Sequence, residues 1–237
     1  MVTPRAAVVP LREEAREGAE QLTQLLFGEP CELTETQERW VLVRSLWDGQ
    51  KGWADRKMMT AEGENPPVPR KLTMGSLVDG RRVLNGSERL TEALPLTREN
   101  LLRIYEILAD TPYLWGGKSQ WGMDCSGMTQ VVFSLFGINL LRNASEQVTQ
   151  GTPVVSLADS RPGDLVFFDH ADRDPQTENR ESITRNRKIS HVGILLSSDE
   201  VWHCSGWVRR DAIDPHGIRL PDGSYTHHLA AIRRYRG

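Results

Sequence analysis

One stretch constrains this chain more than any other: Tyr113-Leu-Trp-Gly-Gly117, followed by Trp121-Gly-Met-Asp-Cys-Ser-Gly127. It reads as a glycine-rich loop running straight into a helix. Asp124 suits the N-cap, where its carboxylate accepts a backbone N–H of the first turn. Met128, Val131, Val132, Leu135 and Phe136 recur at helical spacing, and Gly137 closes the run. Cys125 therefore falls at the first helical position, where the partial positive charge of the helix end favours a thiolate. A lone cysteine is commonly an inert buried hydrophobe. To act as a nucleophile it needs a base, and the base needs a group to orient it.

The three cysteines, Cys31, Cys125 and Cys204, are far apart and odd in number. They form neither a disulfide framework nor a zinc-ligand spacing, so no metal or other cofactor is expected. With 38% hydrophobic and 26% charged residues in 237, the chain holds enough apolar matter for a core. A net charge of -3 gives no general attraction to nucleic acid. No apolar run is long enough to span a membrane. Met1 to Pro10 lacks the charged start and apolar centre of a signal peptide. The expectation is a cytoplasmic protein if the chain is complete, and a periplasmic or envelope protein if a leader has been removed.

Up to about residue 60 the chain reads as short strands: Gln21 to Phe27, Cys31 to Glu35, Trp40 to Leu46, and Trp53-Ala54-Asp55 after a turn at Asp48-Gly49. Leu11 to Glu20 suits helix or strand. Spacing this tight points to a small barrel, and the stretch resembles a bacterial SH3 domain. Ala61 to Pro69 carries three prolines and reads as a linker. Beyond it, Lys71 to Leu96 holds two weak strand signals and reads as a connecting arm.

Thr97 then caps a helix with Leu101, Ile104, Tyr105 and Leu108 on its apolar face. After the Cys125 helix, Asn143-Ala-Ser-Glu146 opens a short helix with a capping-box pattern. Leu165 to Phe168 is a buried strand, and Asp169 to Ile189 is a long polar insertion suited either to gating or to plain solvation. His191 to Leu196 and Val201 to Ser205 form a hairpin. Its two histidines, His191 and His203, share a face only if the loop between the strands is odd in length or a bulge intervenes.

Asp124-Cys-Ser-Gly127, Pro162-Gly-Asp-Leu-Val-Phe-Phe168, Ser190-His-Val-Gly-Ile194 and the later His203 resemble, in residues and in order, the motifs of the NlpC/P60 family of cell-wall cysteine peptidases. The resemblance covers about residues 97 to 237. With an SH3-like domain in front, the chain is similar to γ-D-glutamyl-L-diamino acid endopeptidases. That implies an α+β fold, in which a papain-like domain packs a Cys-bearing helix on an antiparallel sheet carrying the His, preceded by an all-β SH3-like barrel. The domains implied are 1–65, a connecting arm over 66–96, and 97–237.

The resemblance further implies Cys125 as nucleophile, His191 as base and then acid, and His203 as the group orienting His191. The Cys125 N–H and the Tyr113 hydroxyl are expected to hold the oxyanion. Tyr113, Trp115, Asp124, Ser126 and Ser145 are expected to bind substrate, a peptidoglycan stem peptide. Asp124 is the expected partner for the ammonium of a free N-terminal L-Ala, since a buried ammonium needs a carboxylate. Relatives place a tyrosine from the SH3-like domain over the substrate, yet residues 1–95 contain none. Where relatives often carry Arg-Asp-Ala-Ser, this chain has Arg142-Asn-Ala-Ser145. The rival functions are a thiol acyltransferase using the same Cys and His, and a muropeptide-binding protein without turnover.

Overall fold

The structure, a computed structural model, describes residues 1–170 and 188–236. Most of the 169–189 insertion, and with it the gating role considered for it, lies outside the described residues. Five strands form the first unit: β1 (Val8–Arg12), β2 (Gln21–Leu26), β3 (Cys31–Gln37), β4 (Trp40–Ser45) and β5 (Lys51–Asp55), in the order β2-β1-β5-β4-β3. Their inward residues Val9, Leu11, Leu25, Cys31, Val41, Val43 and Ala54 make a small separate core. Leu11 and Arg12 close β1, and the polar run after them forms bends and turns rather than a helix. The arm contributes β6 (Leu77–Val78), β7 (Arg81–Asn85) and β8 (Glu88–Arg89).

Helix α1 (Arg98–Leu108) starts where Thr97 accepts the Asn100 N–H, and it buries Leu101, Ile104 and Leu108. Two short strands, β9 (Lys118–Ser119) and β10 (Gly122–Met123), lead into α2 (Cys125–Leu135), which is buried along its whole length. Next comes α3 (Ala144–Gln147), whose Asn143 and Glu146 close the expected capping box.

The remaining strands are β11 (Thr152–Pro153), β12 (Leu165–His170), β13 (His191–Leu195), β14 (Glu200–Ser205), β15 (Trp207–Asp214), β16 (Gly217–Arg219) and β17 (Tyr225–Arg234). All pair antiparallel, in the order β11-β17-β12-β13-β14-β15-β16. Because β16 also pairs with β17, six of them close into a barrel rather than an open sheet.

Closure gives the strands two apolar faces. Phe167, Val192, Ile194 and Trp202 join the core shared with α1 and α2. Val166, Phe168, Leu195, Val201, Ile213, Ile218 and Ile232 fill the barrel interior. Among the described residues no helix is long and apolar enough to cross a membrane.

Candidate active site

Cys125 opens α2. Asp124 caps the helix, its Oδ1 accepting the Gly127 N–H at 2.7 Å. The glycine loop can lie this close only because side chains are missing: a Cβ on Gly127 would stand 2.0 Å from the Gly117 carbonyl oxygen. Gly116, at φ +73°, takes a left-handed conformation that glycine adopts without strain. Its N–H donates to Asp124 Oδ2 at 2.8 Å, fixing the loop to the helix start.

The thiol is 6% exposed and unpaired with any other cysteine. Burial and then the Asp124 charge push it up to about 12, outweighing hydrogen bonds from the Val192 and Ser126 N–H groups. The thiolate expected from the helix end is therefore not the resting form; the free protein holds a thiol. The Val192 bond sets the sulfur against the backbone beside His191.

Gly193 pairs with His203 and Leu195 with Val201, which leaves an odd loop of five residues, 196–200. His191, Gly193 and His203 therefore share a face, and it is the barrel-interior face of Leu195 and Val201. A Cβ on Gly193 would stand 3.1 Å from that of His203, so the missing side chain makes room for the imidazole. His191 Nε2 lies 2.8 Å from His203 Nδ1, with the rings edge to face.

The histidine pair forms a polar end to an apolar barrel. The His227 ring lies tilted beside that of His191 at 4.3 Å between centroids, and Phe168 lies 5.8 Å from it. Burial first, then the neighbouring His203 and His227, hold His191 well below the ordinary imidazole value. Burial also lowers His203, against the pull of Asp211. Both rings are thus neutral at pH 7.

Sequence reasoning missed Asp211. Its Oδ2 lies 2.8 Å from His203 Nε2 and accepts from Arg209 Nε at the same distance. Only the strand pairing reveals it: Gly206, at φ +74°, turns the chain back after β14, which sets Asp211 opposite Val201, diagonal to His203. Cys204, on the other face, is a small buried residue whose S–H donates to the Met123 carbonyl.

Two adjoining cavities meet here, sharing Tyr113 and Ser190. One, of about 420 Å3, is lined by Cys125, Asp124, Ser126, Arg142, Ser145, Trp115 and Lys188, with Leu22 of β2 as a wall. The other, of about 290 Å3, is lined by His191, His227, Ser205, Gly206 and Thr226. A larger, mostly apolar hollow of about 520 Å3, along Pro153–Ala158 and Leu229–Arg233, holds no thiol or imidazole. Chemistry, not volume, locates the site.

The structure corrects the expected role of Asp124. Oδ1 accepts from the Gly127 N–H, Ser126 Oγ and Arg142 Nη1, and Oδ2 from the Gly116 N–H and Arg142 Nη2. Five donors exceed the roughly four lone-pair sites of a carboxylate, so none is left for a substrate ammonium. Ser126 is likewise engaged by Arg142 Nη1 at 2.8 Å. Arg142, buried against Asp124, reaches across to Thr23 of β2 at 2.8 Å. Trp115 is 59% exposed and donates through Nε1 to Glu20 at 2.7 Å, again across to the first unit. Tyr113 is half-buried; burial, Cys125 and Asp124 raise its pKa, so the hydroxyl keeps its proton to donate.

The NlpC/P60 family pattern matches residues 110–206, and that of the bacterial dipeptidyl-peptidase Sh3 domain matches residues 11–57. The γ-D-glutamyl-L-lysine dipeptidyl-peptidase of Bacillus subtilis (strain 168) is 28% identical over 258 residues, which cover 90% of this chain and 80% of that protein. The protein of the same name from Bacillus cereus (strain ATCC 10987 / NRS 248) is 33% identical over 137 residues, 58% of this chain and 36% of that one. The crystal structure of an NlpC/P60 family protein from Bacillus cereus ATCC 10987 superposes with a TM-score of 0.72 at 17% identity, covering 99% of each chain. NlpC2 from Trichomonas vaginalis gives 0.51 at 15% identity, over 99% of this chain and 98% of that one.

Proposed function

We propose that this chain, which carries an NlpC/P60 domain and, ahead of it, a bacterial SH3 domain, cuts the bond between γ-D-Glu and the diamino acid of stem peptides, with Cys125, His191 and His203 as its reacting triad. The observation that carries this reading is a cysteine at a helix start whose cavity adjoins that of a neutral, hydrogen-bonded histidine pair.

In this reading the D-Glu γ-carbonyl sits over Cys125. The thiol proton passes to His191 as sulfur adds to the carbonyl carbon, and the oxyanion faces the Cys125 N–H and the Tyr113 hydroxyl. His191 returns the proton to the departing amine, and water then releases the acyl group. The acyl half occupies the Cys125 cavity, and the leaving half lies toward the His191 cavity, because the base must reach the leaving nitrogen.

The ionic basis for requiring a free N-terminal L-Ala falls with the saturation of Asp124. What supports a limit at that end is steric: Leu22 and Trp115 wall the Cys125 cavity on the side of the first unit. Mass spectrometry of L-Ala-γ-D-Glu-diamino acid peptides incubated with the protein tests the whole reading. Free L-Ala-D-Glu is expected, and Cys125→Ala should abolish it. A transferred acyl group would instead indicate a transferase, and an unchanged but bound peptide a binding protein. Acetylating the L-Ala amine should be tolerated, whereas a disaccharide on the same nitrogen should block cleavage.

A further inference from the structure

We propose that Asp211 is a positioning residue that fixes the tautomers of both histidines and so selects Nδ1 of His191 as the atom that receives the Cys125 proton. The hydrogen bond from His203, then that from Arg209, hold Asp211 down to about 2, so it is ionised at any working pH and only accepts. The 2.8 Å bond to His203 Nε2 must then be donated by the ring. A neutral imidazole carries one N–H, so His203 Nδ1 has none and also only accepts. His191 Nε2, 2.8 Å away, must donate to it. The single proton of neutral His191 is therefore on Nε2, and the lone pair is on Nδ1. When the Sγ–H bond breaks, the Nδ1–H bond of His191 forms, while the Nε2–H of His191 stays hydrogen-bonded to His203 Nδ1.

Every link is built into neighbouring strands. Gly193 pairs with His203 across β13 and β14, and Val201 pairs with Asp211 across β14 and β15. Arg209 is held by the Ser205 carbonyl at 2.8 Å and by the Trp207 ring, so it stays where it can hold Asp211. Without the carboxylate, His203 is free to carry its proton on Nδ1. His191 would then accept at Nε2 and carry its own proton on Nδ1, where it can take none from a thiol. The same logic makes a buried carboxylate matter to serine peptidases through tautomer choice.

This inference rests on the peptidase reading above for its catalytic consequence, but its structural core is testable without substrate. Long-range 1H–15N spectra of the 15N-labelled full chain report which ring nitrogen carries each proton. Both His191 and His203 are expected as Nε2–H tautomers. In Asp211→Leu, His203 should gain the Nδ1–H form, and kcat on the stem peptide should fall on the order of a hundredfold or more with KM little changed. An Nδ1–H tautomer on His203 in the unmodified protein would overturn the proposal, and that spectrum decides even if Asp211→Leu fails to fold. So would an Asp211→Leu variant that keeps both Nε2–H tautomers and full kcat. A protein that shows both Nε2–H forms yet leaves the peptide uncut would sink the peptidase reading while supporting the tautomer chain.

Discussion

At the scale of single residues, the proposed reaction starts with Cys125 as a thiol and His191 as a neutral base. Iodoacetamide should therefore alkylate Cys125 slowly at pH 7, with a rate that keeps rising as pH climbs past the ordinary thiol value of about 8.5. The histidine shifts give a second expectation. His191 is lowered by burial, His203, His227 and Arg209, so its base form persists as pH falls below the ordinary 6.5. The acid limb of kcat/KM should accordingly lie below 6.5; a limb at or above that value would contradict the burial argument. Stability follows the same sign. Between 6.5 and their lowered values, His191 and His203 bind fewer protons folded than unfolded. Their contribution is present above 6.5 and is lost as pH falls through the lowered values, so Tm should drop between pH 7 and pH 5.

Among the elements, α2 depends on one carboxylate with three tasks: capping, pinning the glycine loop and neutralising Arg142. Asp124→Asn keeps the shape but leaves a guanidinium at 3% side-chain exposure without its counter-charge. A loss of about 3–5 kcal/mol in urea unfolding is expected. Helices like this were legible in the sequence because their ends are local: Thr97, Asp124 and Asn143 announce three starts by chemistry within four residues. Strands β2 to β5 were legible too, since turns bracket them. By contrast, β15, β16 and β17 were not read. Arg209 and Asp211 interrupt β15 with charge on the barrel-interior face, and nine of the ten residues of β17 are only half-buried, so neither shows a clean alternation. Barrel closure, a pairing between β16 and β17, has no local signal at all. The site followed the same division. Cys125 and His191 could be picked from motifs, whereas Asp211 and the saturation of Asp124 required knowing which strands and side chains meet.

For the molecule as a whole, the two units are tied through buried charge. Lys118 of β9 lies 3.3 Å from Glu29, with Arg82 of the arm at 3.8 Å and stacked over Trp47. Lys118 and Glu29 side chains are 3% and 2% exposed. Gln130 of α2 donates to Asp48, and Arg142 to Thr23, across the same joint. Glu29→Gln leaves two cations facing each other without their anion and should cost about 3 kcal/mol or more in urea unfolding. The joint should also open to limited proteolysis in that variant, which fragment masses would reveal.

That shared ion cluster also bears on inheritance. Either half, recombined onto an unrelated neighbour, would carry orphaned charge into the new boundary and lose a face of its reaction chamber. Lineages descending from this architecture should therefore exchange the pair as a block, with the residue facing Glu29 drifting only when Glu29 drifts with it.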